Sequence, residues 1–184
     1  MNCPACSGAT LHNEELEENI SAKACSKCGG RWIPSYQYWK WRDRVGKSSG
    51  GAVSHEQEPA EAVNDSGAGK LCPECGHFLT RCKVGHGLEF MLDRCTNCGG
   101  IWLDKNEWES LAAKKLQNQI HFIFSDSWQR QVRDEESRET HQKRIETIIG
   151  AQDWNKLKDV IEWIRKHSRR ETIVGYIEEE LRKS

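Results

Sequence analysis

The sequence predicts a small metal-stabilised α+β protein: two copies of one cysteine-built module, joined by a flexible linker and followed by an α-helical C-terminal region. Three observations carry this. Eight of the nine cysteines in the 184-residue chain fall into four Cys-x-x-Cys pairs. The residues around those pairs recur at an offset of 69 to 70 positions, as a duplicated supersecondary unit would. The last third has no cysteine and carries its apolar residues at helical spacing.

The first module holds Cys3-Pro4-Ala5-Cys6 and, after an 18-residue gap, Cys25-Ser26-Lys27-Cys28. The second holds Cys72-Pro73-Glu74-Cys75 and, after a 19-residue gap, Cys95-Thr96-Asn97-Cys98. Two cysteines two residues apart aim both sulfurs inward from one tight turn. Two such turns supply the tetrahedron of four sulfurs, each at roughly 2.3 Å, that zinc requires. The expected ligands are therefore Cys3, Cys6, Cys25 and Cys28 for one Zn2+, and Cys72, Cys75, Cys95 and Cys98 for a second. Four thiolates fill the coordination sphere, leaving no place for substrate or an activated water, so both sites read as structural. Gly29, Gly76 and Gly99 follow ligands where a positive φ lets amides turn back toward sulfur.

Between the pairs of the second module, Phe78 to Val84 and Leu88 to Arg94 flank Gly85-His86-Gly87, which predicts a hairpin. The first module repeats it more weakly, with Thr10 to His12 and Asn19 to Lys23 on either side of an acidic stretch, Glu14 to Glu18. Each unit is under about 50 residues, too small to fold on its apolar core alone. Zinc would contribute roughly 10–16 kcal/mol of apparent free energy per site.

After the last ligand the copies read Gly29-Gly30-Arg31-Trp32-Ile33 and Gly99-Gly100-Ile101-Trp102-Leu103. With Cys72-Pro73-x-Cys75, Cys95-x-x-Cys98, Asp104 and Glu107, the second copy resembles the transcription-factor-IIB-type zinc ribbon of small bacterial zinc-ribbon proteins. The first keeps the cysteines, the paired glycines and Trp32, but has Pro34 and Gln37 where the second has Asp104 and Glu107. The resemblance implies two rubredoxin-like zinc ribbons and zinc binding. By fold analogy alone it points toward the transcription machinery.

Asp104 and Glu107 have the spacing of a helix-capping pair, with a paired-carboxylate site as the alternative. The helix so capped runs from Lys105 toward Gln119, with Trp108, Leu111, Ala112 and Leu116 as its apolar stripe. A shorter helix after the first ribbon takes Ser35 as its cap. The boundaries become 1–45 for the first ribbon, 46–70 for a flexible linker rich in Gly, Ser and acidic residues, 71–119 for the second ribbon, and 120–184 for the helical region.

In that region one helix spans Asp126 to Ile149 and ends at Gly150. A second starts near Asp153 with Trp154, Leu157, Ile161 and Ile164 in line, and a third carries Ile173, Ile177 and Leu181. They predict a three-helix core or an interface with another chain. Trp154 and Trp163 read as core residues, or else as anchors for a partner.

The formal charge is −1, and each four-thiolate zinc site adds a net −2, which takes it to −5. That excludes a broad basic footprint for nucleic acid. Two local patches remain, Lys40, Arg42 and Arg44 after the first ribbon, and Arg165, Lys166, Arg169 and Arg170 between the last helices. Each is either a solvated helix surface or a phosphate contact. Cys82 reads as a small apolar strand residue, and His77 and His86 as turn residues beside an already complete ligand set. No apolar run long enough to span a membrane and no leader segment appear, which with metal-spaced cysteines predicts a cytoplasmic protein. No catalytic motif is visible. The expectation is a non-enzymatic zinc-binding interaction protein with a protein or nucleic-acid partner. The alternative is a thiol switch built on the Cys-x-x-Cys pairs.

Overall fold

Strand, knuckle and helix follow one another in the same order in both modules. The computed structural model describes residues 1–47, 63 and 67–183. The first module contains β1 (Leu11–Glu17), β2 (Ile20–Cys25), β3 (Arg31–Ile33) and α1 (Ser35–Lys47). The second contains β4 (Leu79–Gly85), β5 (Leu88–Cys95), β6 (Ile101–Leu103) and α2 (Glu107–Ala113). Most of the acidic stretch expected to connect the first two strands is itself strand. Its carboxylates have partners that hold them there: Glu14 accepts from Arg31 at 2.9 Å and Glu17 from the Trp108 indole at 3.0 Å. In the second hairpin, positive φ at His86 and Gly87 permits the two-residue turn.

The two hairpins are not separate sheets. All six strands form one antiparallel sheet in the order β1-β2-β3-β6-β5-β4. At its centre Arg31 pairs with Leu103, Trp32 with Trp102, and Ile33 with Ile101. Trp32 and Trp102 are equivalent residues, so the modules meet about a pseudo-twofold axis through that pair, as subunits do in an isologous dimer. The pairing also covers β3 and β6, each of which would be an exposed edge in an isolated ribbon.

Alternation along β3 and β6 sorts side chains to two faces. Ile33, Ile101 and Leu103 join Ile20, Phe90, Leu92 and the helix residues Tyr38, Trp41, Trp108 and Leu111 in one core shared by both modules. Trp32 and Trp102 turn to the other face and pack with Leu79 and the cysteines.

Two helix boundaries differ from expectation. α2 ends at Ala113, where Lys115 takes φ +57, and a 3-10 turn (Gln117–Gln119) leads into the short helix α3 (Ile120–Ile123). The break lets Ile120 and Ile123 enter the shared core, which one straight helix to Gln119 would not allow. α1 begins at Ser35 itself, its first turn bonded to the Pro34 carbonyl. The stretch expected as a linker lies largely outside the described residues. Lys70, at its far end, is 1 % exposed and part of the folded structure.

The chain divides into Met1–Val132 and Arg133–Ser184. The first turns of α4 (Asp126–Ile149) belong to the former unit: Trp128 donates to the Val84 carbonyl at 2.8 Å and Gln129 to Lys83 at 2.8 Å. A Cβ on Gly85 would overlap Val132, so this glycine is what allows the helix to approach. α4 ends at Gly150 as expected, and α5 (Ala151–Lys166) and α6 (Arg170–Arg182) follow. The expected three-helix core does not form. No residue of α5 or α6 is buried, and Trp163, read as a core residue, is 55 % exposed. These amphipathic helices have too few apolar positions on the intervening stretch of α4, Arg133 to Arg144, to close around. Among the described residues no helix is long and apolar enough to cross a membrane.

Candidate metal centres

The strand ends and the turns between them bring the cysteines together in fours. Cys25 and Cys28 lie where β2 ends and the chain turns toward β3, and Cys95 and Cys98 occupy the same place between β5 and β6. The turns are held identically. The amide of Gly29 donates to the Cys25 carbonyl and that of Cys25 to Gly30, each at 2.9 Å; Gly99, Cys95 and Gly100 repeat this at the same distances. Gly29, Gly76 and Gly99 have φ of +72, +73 and +75, as their positions required.

Cys3, Cys6, Cys25 and Cys28 form one group and Cys72, Cys75, Cys95 and Cys98 the other, with the four sulfurs of each within 4.8 Å of one another. The sulfurs of Cys3 and Cys28 lie 3.7 Å apart, those of Cys72 and Cys98 3.5 Å, and those of Cys75 and Cys95 3.4 Å. A tetrahedron with zinc–sulfur bonds of about 2.3 Å has edges of about 3.8 Å, whereas a disulfide brings sulfurs to about 2.05 Å. The geometry fits zinc. In each group the first cysteine of a pair is buried and the second half-buried, so each centre has one dry and one accessible side.

Backbone amides prepare the sulfurs for the ionised state. Burial raises the Cys25 thiol, but the amides of Cys28 and Lys27 outweigh it and bring it to about 7. The His77 amide draws Cys75 down to about 6. Burial and neighbouring sulfurs push Cys28 and Cys98 well above the thiol range, so loading either centre must release protons.

The family model of the TFIIB-type zinc ribbon, described as a transcription factor zinc-finger, matches residues 2–44 and again residues 71–114. These two segments are TFIIB-type zinc ribbons. No curated protein and no solved structure matches the chain. With four thiolates gathered in each ribbon, the chain binds two Zn2+.

Around the metal the two ribbons have diverged. In the second, the Trp102 indole donates to Asp104 Oδ1 at 2.7 Å, and Lys70 reaches Asp93 at 2.5 Å and Asp104 at 3.1 Å. Arg81 lies 3.2 Å from Asp93. Burial pulls the Lys70 ammonium down, but the two carboxylates outweigh it and hold it charged. Asp104, expected beside the helix start, also accepts with its carboxylate from Trp102 and Lys70. Glu107 accepts from the Asp104 amide at 2.8 Å, the reverse half of a capping box, and the helix starts at Glu107. This network explains the Asp104–Glu107 pair without catalysis. In the first ribbon Lys23 and Pro34 stand at the places of Asp93 and Asp104, and the buried Trp32 indole has no hydrogen-bond partner among the described residues.

His77 is exposed and contacts the Cys75 carbonyl, His86 stacks edge-on against Trp128 at 4.6 Å, and neither joins a cysteine group. Cys82 is half-buried against the shared core, which raises its thiol. In the first basic patch Lys40 is exposed, Arg44 donates to Asn19 at 2.8 Å, and Arg42 lies 5.0 Å over the Trp39 ring. In the second, Lys166 pairs with Glu162, and Arg165, Arg169 and Arg170 are exposed at the α5–α6 turn. Sequence reading missed Lys70 and Asp93, whose only signal was a lysine two residues before Cys72 and an aspartate that follows the apolar run Phe90-Met91-Leu92.

Proposed function

We propose that this chain is a non-enzymatic interaction protein in which two zinc ribbons form a rigid platform and the C-terminal helices supply contact surface for a protein partner. The observation that carries this reading is the state of α5 and α6. Leu157, Ile161, Trp163, Tyr176, Ile177 and Leu181 are all exposed, and nothing in either helix is buried. Apolar side chains repeated on helices without a core favour a partner that covers them. Four thiolates at each zinc leave no coordination position for chemistry, which favours binding over catalysis. The family description favours a partner in the transcription machinery, and the reducing chemistry of zinc thiolates favours the cytoplasm.

The test is capture of partners from the native cell by the full-length chain beside Trp163→Asp and Ile177→Asp variants. Loss of the same partner from both variants, with zinc content unchanged, supports the reading. Identical partners on all three chains would contradict it.

A thiol switch is the second reading, favoured by the accessibility of Cys6, Cys28, Cys75 and Cys98 at the edges of their centres. It predicts that low peroxide releases zinc, forms disulfides and is reversed by thiol reductant. Zinc retained until the protein precipitates would rule it out.

A further inference from the structure

Four aromatic rings and two guanidinium groups gather on the surface of the ribbon unit, with Arg94 beside the Cys95–Cys98 turn of the second zinc centre. Trp39 and Arg42 come from α1, His121 and Phe122 from α3, Phe124 from just beyond it, and Arg94 from β5. Ring centroids lie 5.2 Å apart for Trp39 and His121 and 4.0 Å for His121 and Phe122. Arg42 stands over the Trp39 ring at 5.0 Å and Arg94 over Phe124 at 5.6 Å. Both lie near enough to His121 to add to the effect of burial in keeping its imidazole below the usual range. The cluster is therefore one patch with two cations in it.

A patch that merely extended the core would hide its rings, yet Trp39 is 36 % and Phe122 51 % exposed. Arg31, Arg81 and Arg182 each have a carboxylate, whereas Arg42 and Arg94 have none among the described residues. Asp43, next to Arg42 in sequence, is exposed and forms no ion pair with it among those residues. Open π-faces beside uncompensated guanidiniums match a ligand that is planar and anionic at once.

We propose that this patch binds single-stranded nucleic acid, with bases stacked on Phe122 and on the Arg42–Trp39 pair and phosphates held by Arg42 and Arg94. This rests on the reading of the chain as an interaction protein and adds a second kind of partner at a second place. Unpaired bases offer their faces to aromatic rings regardless of sequence, and guanidinium planes stack on them equally well. A duplex hides those faces and would meet the net negative charge of the metallated chain with only two cations in return.

The test uses the full-length zinc-loaded chain and fluorescence anisotropy of labelled oligothymidylate of about 12 nucleotides, beside a duplex of equal length. The single strand should bind at least about tenfold more tightly than the duplex. Two phosphate contacts predict a slope of about −1.4 for log affinity against log salt. Phe122→Ala and Arg42→Gln should each weaken binding at least about fivefold while keeping two zinc per chain. Both side chains are at the surface, and either variant alone suffices if the other loses zinc. The proposal is overturned by no binding at low salt, by duplex bound as tightly as single strand, by variants that bind like the parent, or by an oligoglutamate peptide competing as well as the oligonucleotide. A chain that binds no oligonucleotide but still captures a protein through α5 and α6 would overturn this proposal alone.

Discussion

Trp32 and Trp102 occupy the same place in the two ribbons, yet among the described residues only Trp102 has a partner for its indole N–H. Their comparison isolates a single hydrogen bond, because both rings are fully buried in the same cluster. Trp102→Phe strips a donor from the buried Asp104 and should cost about 1–3 kcal/mol more than Trp32→Phe in denaturant unfolding. Equal losses would show that Asp104 does nothing for Trp102. The thiols support a second expectation at this scale. Cys28 and Cys98 are held protonated in the metal-free chain, so zinc must displace their protons. Zinc affinity should therefore fall steeply as pH drops below 7, and calorimetry in buffers of different ionisation enthalpy should show proton release at each site. Affinity independent of pH between 6 and 8 would contradict this. The eight ligands were legible because Cys-x-x-Cys spacing encodes a turn that aims two sulfurs together. Lys70 was not: a lone lysine after a polar stretch carries no sign that two buried aspartates await it.

Between elements, the paired glycines have two separate duties. Gly29 and Gly99 supply positive φ, whereas Gly30 and Gly100 admit the other ribbon's tryptophan: a Cβ on Gly30 would overlap Trp102, and one on Gly100 would overlap Trp32. The Gly-Gly-x-Trp repeat thus marks the joint between ribbons as well as the knuckle of each. Gly100→Ala should destabilise the protein by about 1–3 kcal/mol or more, as overpacking against a rigid ring does, without removing a ligand. Thermal unfolding with metal content measured alongside checks this, and an unchanged Tm would argue against the reciprocal packing. The hairpins and the end of α4 at Gly150 were legible from alternation and turn residues. The pairing of β3 with β6 was not, because three-residue strands carry too little pattern to choose a neighbour. The break in α2 escaped notice for a related reason: Lys114-Lys115 looks like continuing helix until Ile120 and Ile123 are seen to need the core.

For the whole molecule, the shared sheet and core change what zinc does. Each ribbon alone is too small to fold without metal, but together they share one core of buried residues drawn from both ribbons and from α3. Loss of either centre should therefore loosen its neighbour. Cys28→Ser in the first ribbon should lower the zinc affinity of the second as well as the first, read by competition with a chelator of known affinity. A second site that binds zinc as tightly as before would mean the ribbons fold independently. Nothing in α5 or α6 is buried, so substitutions at Leu157 or Trp163 should leave zinc affinity unchanged.

Two closed four-thiolate zinc centres are joined through one sheet, and native mass spectrometry of the metal-free chain during zinc addition tests this most directly. It should show the population moving from no zinc to two zinc per chain, with the one-zinc species minor throughout and no disulfide mass loss. A chain that saturates with one zinc or none, or that passes through a dominant one-zinc species, would contradict it.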